Sequence, residues 1–240
     1  MEQIFRLMLE SFRKYFRIDV HGIEHIPKRG KALIAPNHSG CSGLDAVMLT
    51  YLLQQKLPRI PRVLTLWTFF KAFPFFAPAA QRMGLKPAST DNGVILLKKN
   101  NLVVCFPEGE KGSFKPTANR YRLQDFKTGF IRMALVTGAP IVPCVIIGAE
   151  ESNINLATLK FRGRKRARET IMPLPFNLIP LPAKWDIRFF APIDLSGYRQ
   201  YADDKAKLKE IAQEIREKMQ AQINRELSKR QYVYLKHAMI

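Results

Sequence analysis

The sequence predicts an α/β domain: a largely parallel sheet flanked by helices, with an amphipathic helix at its start and a charged helix at its end. Three observations carry that prediction. Residues 32–36, 102–106 and 141–148 are short apolar runs of the kind found in strands buried on both faces. Helical patterns over 44–54, 89–100 and 126–137 separate them, and strands alternating with helices at this spacing build a parallel sheet. A chain of 240 residues that is 47% hydrophobic makes one large domain with a substantial core.

In residues 1–17, Ile4, Phe5, Met8, Phe12, Tyr15 and Phe16 fall near one helical face, with Arg6, Glu10, Arg13, Lys14 and Arg17 around the rest. Such a helix suits a lipid headgroup layer, and the same stripe would equally pack on the domain's own core. We set it apart as residues 1–16 and read 17–240 as a single domain. Alternation over 17–22 predicts a strand, and the turn at 26–30 leads to the buried strand at 32–36. Helix 44–54 ends before Pro58 and Pro61, and 63–67 reads as another strand.

Residues 64–80 are the most apolar window, holding Trp67, Phe69, Phe70, Phe73, Phe75 and Phe76. Pro74 and Pro78 forbid one long straight helix there. Short helical pieces would present these rings to an acyl chain, to a membrane or to the core. A strand at 85–88 precedes a helix opened by Ser89-Thr90-Asp91, good N-cap chemistry. The strand at 102–106 runs into Pro107-Glu108-Gly109-Glu110-Lys111. A polar loop with Lys115, Arg120 and Arg122 leads to helix 126–137, which Gly138 stops. After Gly148 the pattern loosens. Residues 160–168 hold six basic side chains in nine, and 171–182 hold four prolines, which predicts an extended or turning segment. Residues 185–190 read as a late strand. In 202–229, Leu208, Ile211, Ile215, Met219, Ile223 and Leu227 form a stripe that would dock a charged helix along the domain.

The formal net charge of +19 speaks about partners: anionic membrane surfaces, nucleic acids or phosphorylated substrates. Cys41, Cys105 and Cys144 show neither a disulfide framework nor a metal-binding spacing, so reduced thiols in a cytosolic setting and no metal are expected. No cleavable signal peptide is visible, and no apolar run reaches the roughly 18–20 residues of a spanning helix. Any membrane contact is therefore expected from one side, at the cytoplasmic face.

The chemistry concentrates in Pro36-Asn37-His38-Ser39-Gly40-Cys41-Ser42-Gly43-Leu44-Asp45, a histidine on a glycine-rich turn between a strand and a helix. Were residues 38–45 one regular helix, His38 and Asp45 would lie about 10.5 Å apart along its axis, too far for a hydrogen bond. Gly40 and Gly43 can fold the connection back and bring the Asp45 carboxylate to one imidazole nitrogen. The other nitrogen would then be free to deprotonate a substrate hydroxyl. Spacing alone equally allows a histidine capping a turn and an aspartate favouring a helix N-terminus.

Phe106-Pro107-Glu108-Gly109 at the end of a second buried strand, taken with the Asn-His…Asp turn, resembles the glycerolipid acyltransferase family of PlsC-type lysophosphatidate, lysophospholipid and glycerol-3-phosphate acyltransferases. Ala139-Pro140-Ile141-Val142-Pro143 is similar to that family's late strand motif. Val20-His21-Gly22-Ile23-Glu24-His25-Ile26-Pro27, leading to Ala35-Pro36-Asn37-His38, is similar to its entry strands. The likeness spans roughly residues 17–150 and implies a glycerol-3-phosphate acyltransferase-like fold. It also implies acyl transfer from a thioester, acyl-CoA or acyl carrier protein, to a glycerolipid hydroxyl. His38 would then be the base and Asp45 its orienter, with no cofactor. Glu108 and Gly109 would shape the acceptor site, Lys111 would meet its negative charge, and the 64–80 window would lie near the acyl chain.

The chain departs from the family pattern in three places. Six residues separate His38 from Asp45 instead of four. Thr90 stands where an acceptor-binding arginine is common, with Arg82 or Lys86 as substitutes. Glu110-Lys111 replaces the usual Thr-Arg, which keeps the charge and loses the bidentate fork. Two other classes are carried beside this one. A lipid or thioester hydrolase would use Cys41, Ser39 or Ser42 as nucleophile, although no Gly-x-Ser-x-Gly elbow is present. A non-enzymatic binder of anionic membranes or nucleic acid would use the basic excess. The aromatics cluster with apolar residues rather than spacing out as base platforms, so nucleic acid is not the expected partner.

Overall fold

The structure, a computed structural model, describes residues 2–66, 84–161 and 170–234. The aromatic window from Trp67 to Ala80, Arg82 and most of the basic run at 160–168 lie outside the described residues. Nine strands are described: β1 (Asp19–His21), β2 (Ala32–Pro36), β3 (Arg62–Thr65), β4 (Leu85–Pro87), β5 (Leu102–Val104), β6 (Ile141–Ile147), β7 (Asn155–Phe161), β8 (Thr170–Pro175) and β9 (Asp186–Phe189). Seven of them form one sheet in the order β1-β9-β6-β2-β5-β3-β4. All neighbours in it run parallel except β6 and β9. The α-helices among the described residues are α1 (Glu2–Tyr15), α2 (Leu44–Lys56), α3 (Thr90–Lys98), α4 (Glu110–Ser113), α5 (Gly129–Thr137), α6 (Ala149–Ser152) and α7 (Lys205–Ser228). Among the described residues, no helix is long and apolar enough to cross a membrane.

Side chains alternate across a strand, so each apolar run feeds two cores. Ala32 and Ile34 of β2 join Met48, Leu49 and Leu53 of α2 on one face of the sheet. Leu33 and Ala35 join Leu97 of α3, Phe130 and Ile131 of α5, and Ile211, Ile215 and Met219 of α7 on the other. This is why the central strands are apolar at every position: neither of their faces meets water. Asp204 caps α7 by accepting the N–H groups of Ala206 and Lys207.

The far half of α1 packs on the domain's own core. Leu9 and Phe16 are buried, and the Phe16 ring stacks on Trp185 with centroids 4.5 Å apart. Ile4, Leu7 and Met8, nearer its start, stay exposed.

Two segments differ from the sequence expectation. The fifth strand ends at Val104 rather than 106, because Phe106 and Pro107 already belong to the turn that carries Glu108. Helix α5 begins at Gly129 rather than 126. The preceding stretch bonds elsewhere: Leu123 N–H donates to Gln220 and Lys127 N–H to the Pro107 carbonyl. The proline-rich stretch supplies β8, which pairs antiparallel with β7 in a separate two-stranded ribbon. Each strand of such a ribbon has an open edge, where a proline's missing N–H is tolerated.

Candidate active site

Two adjacent parallel strands deliver the site. In the β2–β5 register Ile34 lies opposite Val104, so His38 and Glu108, each four residues on, leave the sheet side by side. They emerge at the carboxyl ends of the strands, where open α/β sheets place their ligand sites. Asn37 anchors the exit. Its amide nitrogen donates to the Ile146 carbonyl at 3.0 Å, and its amide oxygen accepts the Ile146 N–H at 2.6 Å. The side chain thus extends the ladder of β6 by one step and fixes the backbone from which His38 projects.

The turn folds back through two glycines in the left-handed region, Gly40 at φ 85° and Gly43 at φ 71°. At Gly40 a Cβ would stand 3.0 Å from the Ala149 carbonyl, so the turn passes close against α6. The result is direct contact: His38 Nδ1 lies 2.7 Å from Asp45 Oδ2. The same oxygen accepts the Ser39 N–H at 2.8 Å, and Oδ1 accepts the Ala46 N–H at 2.8 Å. Asp45 is wholly buried, whereas the His38 side chain keeps 16% of its surface exposed. A carboxylate only accepts, so in the neutral ring Nδ1 carries the proton and Nε2 holds the lone pair. Burial pushes the proton affinity of His38 down. The charge and hydrogen bond of Asp45, with the charge of Glu108, more than offset this, and the pKa ends above its ordinary value. The Phe106 ring lies 4.3 Å from the imidazole and closes one side.

Glu108 is also wholly buried. Its Oε1 accepts the His38 backbone N–H at 2.9 Å, and its Oε2 accepts the Gln124 N–H at 2.7 Å. The Lys115 ammonium stands 3.7 Å from Glu108 and 2.9 Å from Glu150. Burial pushes the Glu150 carboxyl up to about 7, with Lys115 opposing the rise. Both carboxylates and the lysine form a buried polar knot beneath the histidine turn. Glu108 thus holds the main chain of His38, and each of its oxygens accepts a backbone N–H there.

The remaining residues singled out in the sequence are spread around this centre. Lys111 is exposed on α4, and Lys86 is half-buried on β4. Arg82 lies outside the described residues. Gly109 has a role that its position in the motif does not announce. A Cβ there would stand 2.5 Å from Lys127 Nζ, so the bare glycine lets that ammonium lie against its backbone. Asn37, Lys115, Glu150 and Lys127 were not given roles by sequence reasoning. For Asn37 a signal existed, since an amide directly after a buried strand can continue its ladder. Lys115 and Lys127 are brought in by the long return of the loop over 114–128, and Glu150 by α6 at the end of β6.

Among the described residues, Asp45 is the side chain hydrogen-bonded to the imidazole; no hydroxyl or thiol is. Ser39 Oγ accepts from Asn37, and Ser42 Oγ donates to Asn153. Cys41 lines a small cleft with Lys115, Glu150, Asn153 and Asn155. Burial pushes its thiol up, away from the thiolate that a nucleophile requires.

A family model described as Acyltransferase matches residues 17–147, more than half of the chain. Uncharacterised proteins of Mycobacterium bovis and Mycobacterium tuberculosis are each 38% identical over 234 residues, which is 93% of this chain and 65% of theirs. One from Mycobacterium leprae is 36% identical over 234 residues, 93% of this chain and 64% of its own. The chain thus spans less than two-thirds of the length of these curated relatives. Among solved structures, the 1-acyl-sn-glycerophosphate (LPA) acyltransferase PlsC from Thermotoga maritima matches with a TM-score of 0.51 at 16% identity, over 92% of this chain and 83% of that one. That likeness is one of fold.

Proposed function

Because this chain belongs to the acyltransferase family, we propose that it moves a fatty acyl group from a thioester, acyl-CoA or acyl carrier protein, to the hydroxyl of a lysophospholipid or lysophosphatidate, with His38 as base. The observation that carries this reading is the 2.7 Å contact of His38 Nδ1 with buried Asp45, which leaves Nε2 as the basic face of a partly exposed ring.

His38 Nε2 takes the acceptor hydroxyl proton as that oxygen attacks the thioester carbonyl. The buried Asp45 stabilises the imidazolium that forms, as a carboxylate does beside a histidine base. Collapse of the tetrahedral intermediate forms the ester C–O bond and breaks the C–S bond. The departing thiolate takes up the proton from His38. The thioester is already activated, so the scheme uses no acyl-enzyme, cofactor or metal. Lys127, lying along Gly109, and Lys111 on the adjoining α4 are the cations we assign to an anionic acceptor, with Lys86 and Arg82 as further contacts.

The test is an acyl-transfer assay of the purified protein, with labelled acyl-CoA and acyl carrier protein donors against a panel of lysolipids, glycerols and sterols, read by mass spectrometry. Wild type transfers to a lysolipid; His38→Ala folds and does not, whereas Cys41→Ala retains turnover. Retained transfer in His38→Ala, or its loss in Cys41→Ala, overturns the assignment.

A further inference from the structure

The ribbon of β7 and β8 has one face turned to the domain and one whose large apolar side chains are exposed. In its register Leu159 lies opposite Met172 and Ala157 opposite Leu174. Residues directly opposite on an antiparallel pair share a face, and Phe161 shares it by alternation. Leu159, Phe161, Met172 and Leu174 are all exposed. The other face grips the protein: Asn155 and Thr158 both donate to the Phe114 carbonyl.

The chain leaving β8 continues the pattern in a sharper form. Phe176, Leu178 and Ile179 are 70%, 88% and 82% exposed. This loop is not loose. Phe176 N–H donates to the Ile154 carbonyl at 2.8 Å, and the Asn177 side chain bonds to Ile154 at 2.7 Å and Ser152 at 3.0 Å. The polar residue faces inward and the large apolar ones face out, the reverse of an ordinary surface turn. Tyr15 Oη donates to the Pro180 carbonyl at 2.8 Å. That bond joins the loop to the α1 stripe on which Ile4, Leu7 and Met8 are exposed. Large apolar side chains held out in this way mark an interaction site.

We propose that the bare face of the β7–β8 ribbon and the anchored loop at 176–179 form the surface on which this protein sits on an anionic lipid bilayer. Charge complementarity selects that occupant. The chain carries a net +19, and the residues joining the two strands are, by sequence, Arg162-Gly163-Arg164-Lys165-Arg166-Ala167-Arg168-Glu169, five cations against one anion. A basic connection between strands that expose apolar side chains matches anionic headgroups above acyl chains. Protruding tips suit a fluid bilayer better than a flat protein face. The surface starts beside the candidate site, since Asn155 both begins β7 and lines the cleft next to Cys41. The inference does not depend on the proposed reaction, because binding is read without turnover.

The test is co-sedimentation of the full chain with sucrose-loaded vesicles of phosphatidylcholine alone or mixed with phosphatidylglycerol. Wild type pellets with the anionic vesicles, and less so as salt rises. The triple variant Phe176→Ser, Leu178→Ser, Ile179→Ser loses about tenfold or more of that binding while keeping the wild-type melting temperature. Ile95→Ser, which removes an exposed apolar side chain from α3, is the control and binds as wild type. Unchanged vesicle binding in the triple variant overturns the proposal. So does a wild-type dimer in gel filtration that the triple variant converts to monomer without changing vesicle binding, for then a second copy covers this face. Lost binding in the triple variant with no acyl transfer by any variant would sustain this surface and refute the reaction.

Discussion

Glu108 holds His38 by its backbone and not by its ring: the carboxylate accepts the His38 main-chain N–H at 2.9 Å, while Asp45 takes the imidazole. Two buried acids thus divide the work on one residue. One sets where the histidine stands, and the other sets which nitrogen is basic.

Asp45→Asn separates those functions. The amide removes the charge that raises the His38 pKa, so the acid limb of kcat/KM, where the base is lost to protonation, moves to lower pH. The rate on the plateau falls by about 10²–10⁴, with little change in the acceptor KM. A pH–rate profile checks both parts, and an unmoved acid limb would count against the pairing.

Glu108→Ala leaves the His38 and Gln124 N–H groups without their acceptor and weakens the pairing of buried Lys115. Destabilisation of about 3–5 kcal/mol is expected from breaking such a buried ionic group. Glu108→Gln, which keeps an acceptor oxygen, costs less. Urea denaturation of the two variants measures the difference.

For the acceptor, Lys127→Ala is expected to raise KM for a phosphate-bearing lysolipid about tenfold and to leave kcat nearly unchanged. Lys111→Ala, on the exposed turn of α4, has the smaller effect. Initial-rate kinetics on a charged and an uncharged acceptor distinguish the two, and equal KM values in all three proteins would remove both lysines from the acceptor site.

Glu150 predicts a pH dependence of stability. Its folded-state pKa is raised to about 7 from the model-compound value of 4.5, so the native state binds more protons than the unfolded chain across that window. Its stabilising contribution is complete below pH 4.5 and is lost as pH rises through 7. Glu150→Gln flattens that part of the stability curve by on the order of 3 kcal/mol. Thermal melts at half-unit pH steps read the change.

The central strands were legible because a run such as Leu102-Val103-Val104 has no polar face, and the His38–Asp45 contact because only glycines can fold that turn. The anchoring of Asn37 to Ile146 was hidden by the separation of the two residues along the chain. The ribbon was hidden by Pro173 and Pro175, which argue against a strand in general and not in a two-stranded pair. Lys111 drew notice through its place in the motif, yet the loop over 114–128 returns across the site and carries Lys127 to Gly109. Local pattern reported the central strands and the helices packed on them. Contacts made by a returning loop have no local pattern to report.

The turn between His38 and Asp45 is also held from outside. Ser42, within it, donates to Asn153; Asn153 donates to the Asn177 carbonyl; and Asn177 sits between Phe176 and Leu178. A short relay of amide and hydroxyl bonds therefore ties the loop with the outermost apolar tips to the turn that carries His38. The turn is thus tethered to the loop at 176–179 by side chains far from it in the sequence.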